Sequence, residues 1–104
     1  MAEEFDKLVR DRIPQVIKEN GEEPTIHHAD GDEYSERLAE KLDEEATEYL
    51  ESREVSELAD VLEVVHAIRK DRGVTLEELQ EIRTQKAKER GRFDEGIVLE
   101  RVKK

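Results

Sequence analysis

The sequence predicts an all-α fold in which two long helices form a hairpin and a third helix follows. Apolar residues recur at helical spacing from about residue 32 to 50 and again from about 53 to 72. The capping-box sequence TLEE at Thr75–Glu78 then opens a third helix that runs toward Arg90. The length of 104 residues fits one domain, residues 1–104.

The two ends of the chain predict less regular elements. In KLVRDRIPQVIKENG, Pro14 suits the first turn of a short helix and Asn20 followed by glycine suits its end. The segment after this helix is typical of extended chain, and the β-branched GIVLERV near the C-terminus favours a strand or an extended tail. Residues 24–28 and 97–102 therefore allow one small β pair.

The hairpin is predicted from two apolar stripes joined by the short connection ESRE. A short connection favours antiparallel packing of neighbouring helices. The stripe of the first helix is Tyr34, Leu38, Leu42, Ala46 and Tyr49, and that of the second is Leu58, Val61, Leu62, Val65 and Ile68.

Composition excludes several classes of function. The net charge of -11 argues against nucleic-acid polymers and anionic membranes as partners, although metal ions can bridge acidic residues to phosphate. Without cysteine there is no disulfide, thiolate zinc site or thiol catalysis. No long apolar run or signal peptide is recognisable, so the expected location is the cytoplasm.

Four carboxylates are predicted to face one another across the hairpin. If the chain bends at about Ser52, Glu48 and Glu57 each lie roughly one helical turn from the bend. Glu45 and Asp60 each lie roughly two turns from it, and both occupy the face that carries apolar residues. Two facing pairs of carboxylates would then meet where apolar side chains usually pack.

Converging anions are costly unless some are protonated or cations bind among them. Oxygen ligands without histidine or cysteine suit Mg²⁺ or Mn²⁺. The alternative is a solvated acidic face, because 29 of the 104 residues are acidic and the pattern E-x-x-E recurs elsewhere in the chain.

The sequence resembles a known family at four motifs. KLDEEATEYL followed by ELADVLEVVHAI is similar to the paired E-E-x-x-E and E-x-x-D motifs of the all-α nucleotide pyrophosphohydrolases, which include MazG-like proteins and phosphoribosyl-ATP pyrophosphohydrolase. KLVRDRIPQVI and KAKERGRF resemble a small MazG-like subgroup. The likeness covers most of the chain. It implies Mg²⁺-dependent hydrolysis of an α–β phosphoanhydride to a monophosphate and pyrophosphate, as in the clearance of non-standard nucleotides.

The resemblance also implies roles for individual residues. Glu45, Glu48, Glu57 and Asp60 would be metal ligands. Glu44, the first glutamate of the E-E pair, would support the ligands or orient the attacking water, so Glu44 and Glu45 are the candidate catalytic residues. Only eight residues separate Glu48 from Glu57, a short spacer for this family, so nucleotide recognition would lie elsewhere.

Basic residues could share the neutralisation of phosphate charge. Lys86 and Arg90 lie on one face of the third helix, and Arg92 follows its end; Lys7, Arg10 and Arg12 cluster near the N-terminus. The candidate substrate-binding residues are five of these: Lys7, Arg10, Lys86, Arg90 and Arg92. The alternative for each group is ordinary ion pairing with nearby glutamates.

Three functions stay open at this point. The first is a pyrophosphohydrolase of nucleotides, the second is phosphoribosyl-ATP pyrophosphohydrolase of histidine synthesis, and the third is a non-catalytic acidic module that dimerises or binds a partner. A homodimer or higher homo-oligomer is expected, because the second helix is apolar over a broad arc and a bare patch is uncommon on a monomer. Pairing two hairpins into a four-helix bundle would cover it and could make the site composite.

Overall fold

A computed structural model describes residues 3–104, so the first two residues of the predicted domain lie outside the described part. Within it the chain forms four helices: α1 Ile13–Glu19, α2 Gly31–Ser52, α3 Val55–Asp71 and α4 Leu76–Arg90. α2 packs along α3 as a hairpin, and α4 contacts α3 to a smaller extent. The all-α prediction is confirmed. None of these helices combines the length and apolarity that a membrane crossing needs.

The helix ends follow local sequence signals. Pro14 lies in the first turn of α1, where its missing N–H costs no hydrogen bond. The Thr75 side chain accepts a hydrogen bond from the Glu78 backbone N–H at 3.1 Å, and the Glu78 side chain accepts one from the Thr75 backbone N–H at 3.3 Å, so the predicted capping box is present. Arg53, between α2 and α3, adopts a left-handed conformation at φ 60°, which turns the chain within two residues.

The predicted β pair is wrong for the described chain. Residues 3–104 contain no strand, and neither 24–28 nor 97–102 makes a backbone hydrogen bond to the other. Pro24 lacks an N–H to donate. The 97–102 segment follows α4 and keeps Ile97, Val98 and Leu99 largely exposed, so its β-branched composition finds no neighbouring edge to pair with.

The interior of the chain is thin. Among residues 3–104 the buried apolar side chains are Leu38 and Val64, and the third buried residue is a carboxylate, Glu45. The radius of gyration is 18.3 Å, whereas a compact chain of this length has about 13 Å. The accessible surface is 9822 Å², against about 6,000 Å² for a folded monomer of this mass. The single chain is therefore open, with its hairpin as the one well-packed part.

Candidate metal centre

Three of the predicted carboxylates converge on the hairpin. One ligand oxygen from each of Glu45, Glu57 and Asp60 lies within 4.8 Å of the others. Glu45 belongs to α2 and is buried, while Glu57 and Asp60 lie one turn apart on α3 and are half-buried. The tight connection between the two helices places Glu45 opposite Asp60, since both lie roughly two turns from the bend, and Glu57 lies one turn from Asp60 toward the bend. We call this group the acidic triad.

Glu48 lies beside the acidic triad rather than within it. It is exposed on α2, one turn from Glu45. Its carboxyl group contributes to the raised pKa of Glu45. The role of Glu48 as a fourth ligand stays a prediction.

Basic side chains from the N-terminal segment form ion pairs with carboxylates at this site. Arg10 Nη2 donates to Asp60 Oδ1 at 2.7 Å, and Lys7 Nζ donates to Glu44 Oε1 at 2.8 Å. These residues are 50 and 37 positions from their partners along the chain. The structure thus brings two of the five candidate substrate-binding residues to the carboxylates.

Lys41 also belongs to the site, and it was not predicted from the sequence. Its Nζ lies 2.8 Å from Glu44 Oε2 and 3.3 Å from Glu45 Oε1, and its side chain is only 15% exposed. The signal was available, because Lys41 stands three and four residues before these glutamates and such positions share a helix face. A lysine in that position gives the two catalytic candidates a permanent counter-ion.

The other three candidate substrate-binding residues lie apart from the acidic triad. Lys86 and Arg90 are exposed on α4 and Arg92 is exposed just after it. None of them forms an ion pair with a side chain of residues 3–104. Since none of the three pairs with a carboxylate of the acidic triad, they do not complete the site of their own chain.

The carboxylates of the site differ in their protonation behaviour. Burial raises the pKa of Glu45, and the neighbouring Glu48 carboxyl raises it further. Burial and the negative charge of Asp60 raise the pKa of Glu57. Hydrogen bonds from Lys41 and Lys7 lower the pKa of Glu44. Glu44 is therefore held as a carboxylate, while Glu45 and Glu57 lie where an added positive charge is favoured.

The donor set of the acidic triad fits a small divalent cation. All three ligands are carboxylate oxygens, which Mg²⁺ and Mn²⁺ prefer. Neighbouring ligands of an octahedral Mg²⁺ are about 3.0 Å apart and opposite ligands about 4.2 Å apart. The oxygens of the acidic triad lie within 4.8 Å of one another, so the three side chains would draw closer together on one bound ion. Three protein ligands leave further positions for water and phosphate.

Comparison with known proteins adds a partial likeness. No family model and no solved structure matches the chain. An uncharacterized protein of Mycolicibacterium smegmatis is 50% identical to it over 42 residues, which are 40% of this chain and 43% of that relative. The chain thus spans less than half the length of the relative it matches. What the fold and the site define is an all-α chain with an acidic triad on a helical hairpin.

Proposed function

We propose that the chain is a Mg²⁺-dependent nucleotide pyrophosphohydrolase with a MazG-like fold. It hydrolyses an α–β phosphoanhydride to a nucleoside or related monophosphate and pyrophosphate. The observation that carries the proposal is the acidic triad, with Arg10 bound to one of its members. Carboxylates that hold a cation and arginines that bind phosphate are the two kinds of group that this reaction requires.

The residues of the site divide this work. Glu45, Glu57 and Asp60 would hold Mg²⁺ or Mn²⁺, which supplies charge neutralisation and a water of lowered pKa when bound. Glu44 is kept ionised by Lys41 and Lys7, which each donate to one of its oxygens. A carboxylate oxygen accepts more than one hydrogen bond, so Glu44 would also accept one from the attacking water and orient it. Arg10 has the exposure and the charge to contact a phosphate at the rim of the site.

The proposal includes a homodimer built as a four-helix bundle. The openness of the single chain supports it, because a second copy would cover the exposed apolar side chains of the hairpin. Those with the largest exposure on α2 and α3 are Leu50, Val55, Leu58 and Leu62. In a bundle, Lys86, Arg90 and Arg92 could reach the acidic triad of the partner subunit, which would give these residues the substrate-binding role that they lack within one chain.

The same exposed surface favours a second candidate function. A non-catalytic acidic module that dimerises or binds another protein would also need an apolar surface of this kind. It would not need a buried carboxylate, because acidic residues that serve solubility lie on the surface. Glu45 therefore favours the enzyme over the module.

The test is pyrophosphate release from a substrate panel. The panel holds canonical and modified nucleoside triphosphates and phosphoribosyl-ATP, each assayed with Mg²⁺, with Mn²⁺ and with excess chelator. The expected result is turnover of a nucleotide that occurs only with the metal; a preference for phosphoribosyl-ATP would assign the enzyme to histidine synthesis. The cytoplasm contains nucleotides as well as Mg²⁺, and it is the location that we propose for the chain.

Two variants make the test specific to the acidic triad. Asp60→Asn removes a triad carboxylate and should abolish most turnover. Glu63→Gln removes a carboxylate from an exposed position of the same helix and should leave turnover unchanged. Equal turnover in chelator, or full activity of Asp60→Asn, would contradict the proposal.

A further inference from the structure

The N-terminal segment of residues 3–12, which we call the strap, lies beside the acidic triad. Residues 3–12 precede α1 and form no helix, yet two of their basic side chains lie on carboxylates of the hairpin. Lys7 pairs with Glu44 and Arg10 pairs with Asp60. A segment without helical structure is thus positioned by charge at the place where a cation would bind.

One end of this strap is held by a contact other than these ion pairs. Arg37 on α2 donates to the backbone oxygen and to Oδ1 of Asp6, both at 2.8 Å. The other end leads into α1 at Ile13, and α1 packs against none of the other helices in residues 3–104. Beyond Asp6 the strap is therefore held at the hairpin by Lys7 and Arg10, and it can move when their side chains leave the carboxylates.

The ion pairs of the strap differ from the pair made by Lys41. The side chains of Lys7 and Arg10 are 42% and 58% exposed, whereas that of Lys41 is 15% exposed and held within α2. An exposed ion pair favours contact by only about two- to fivefold. A divalent cation bound to Asp60 would repel the guanidinium of Arg10. Because this cation carries twice the charge of a lysine, its repulsion exceeds the small preference for the ion pair.

We propose that Lys7 and Arg10 are exchangeable counter-ions of the site. They neutralise Glu44 and Asp60 while no divalent cation is bound, and Arg10 moves to the phosphate of the substrate when the metal binds Asp60. This inference rests on the proposed function. Arg10 then acts twice, first as a substitute for the metal charge and then as a phosphate ligand.

A spin label on one introduced cysteine tests the movement directly. Val9→Cys, between the two basic residues, would carry a single nitroxide label, since the chain has no other thiol. Mg²⁺ alone should increase the mobility of this label, and Mg²⁺ with pyrophosphate should decrease it again. In the Arg10→Ala background the second change should disappear. A label at Thr84→Cys on α4 should report neither change.

Calorimetry provides a second readout that does not depend on turnover. Arg10→Ala should bind Mg²⁺ about two- to fivefold more tightly, because a competitor of that strength for Asp60 is removed. The matched control is Arg12→Ala, which removes the same charge at a position two residues further along the chain. The Arg12 side chain forms no ion pair with residues 3–104. Its affinity should stay near that of the unaltered chain.

The outcomes separate the two proposals. Mg²⁺ binding with unchanged mobility at position 9, or equal Mg²⁺ affinity of Arg10→Ala and the unaltered chain, would overturn the exchange and leave the proposed function standing. No binding of Mg²⁺ at all would overturn both. Increased mobility with Mg²⁺ and recapture by pyrophosphate through Arg10 would support the exchange.

Discussion

Replacing Glu45 by glutamine is expected to stabilise the metal-free chain at neutral pH. Glu45 is the buried member of the acidic triad, and its charge is opposed by burial and by neighbouring carboxylates. Glutamine has nearly the same shape and carries no charge. The change therefore removes repulsion and desolvation without opening a cavity.

The magnitude follows from the geometry of the site. Glu45 and Asp60 oxygens lie within 4.8 Å of each other, which costs about 0.9 kcal/mol even at the dielectric constant of water. Against this, Glu45→Gln loses the pair with Lys41 at 3.3 Å, a contact of i,i+4 type worth about 0.3–0.5 kcal/mol. Relief from Glu48 and from burial adds to the gain. The expected net stabilisation is about 0.5–1 kcal/mol.

The stability difference between Glu45→Gln and the unaltered chain is expected to depend on pH in one direction. A carboxyl group whose pKa is raised on folding contributes stability at low pH and loses it as pH rises through the folded pKa. The pKa of Glu45 lies above its ordinary value of 4.5, so the unaltered chain should lose more stability above that pH than Glu45→Gln, in which this group no longer ionises. The difference between the two proteins should therefore grow from acidic to neutral pH.

Urea unfolding followed by far-ultraviolet circular dichroism measures this difference. The proteins are compared in chelator at one protein concentration, because an oligomer's stability depends on concentration. Glu36→Gln makes the same chemical change at an exposed position of α2 and should shift stability little. If Glu45→Gln is less stable at neutral pH, by an amount that does not vary with pH, Glu45 is an ordinary buried partner of Lys41 and the reasoning fails.

Two further predictions concern the assembly. Light scattering at micromolar concentration should give twice the 12.1 kDa chain mass, and Leu62→Glu on the exposed apolar face of α3 should return it to the monomer; a monomeric unaltered chain with full activity would refute the bundle. Lys86→Ala should lower turnover at saturating Mg²⁺ by about a hundredfold, as loss of a charge-stabilising group does, with an unchanged circular dichroism spectrum. Lys88→Ala on the same helix is the control, and unchanged kinetics of Lys86→Ala would leave Lys86 on the solvated surface.

The helices could be predicted because their signals are local. The capping box at Thr75 and the proline in the first turn of α1 act within one or two turns of the chain. The capping box supplies partners for backbone N–H groups at the start of α4, and the proline has no N–H that would need a partner. The boundaries of α2 and α3 were predicted from apolar spacing instead, and they fall within about two residues of those observed.

The β pair could not be judged from the sequence in the same way. A strand needs a partner that supplies backbone hydrogen bonds, and composition alone does not show whether one is near. The segment 97–102 is β-branched but lies beyond α4, which leads away from the hairpin. Its apolar side chains remain exposed in the single chain.

The site was predictable where it depends on the hairpin and not where it depends on the loops. Counting turns from the bend was enough to place Glu45 opposite Asp60. No such count connects Arg10 to Asp60 across 50 residues, because the path of the N-terminal segment is fixed by tertiary contacts. Lys41 could have been predicted, because its spacing of three and four residues to Glu44 and Glu45 places it on the same face of α2.

The buried position of Glu45 is the feature that an acidic composition cannot explain. A chain with 29 acidic residues is expected to expose them, and the solvated-face interpretation fits exposed residues such as Glu48. It does not fit Glu45, which is 8% exposed and stands with Leu38 and Val64 as the buried centre of the described chain. A core this thin loses stability by enclosing a charge among other carboxylates, and an apolar residue there would strengthen it. A stability cost of this kind is characteristic of residues kept for function, and the function that we propose for Glu45 is to hold a cation together with Glu57 and Asp60.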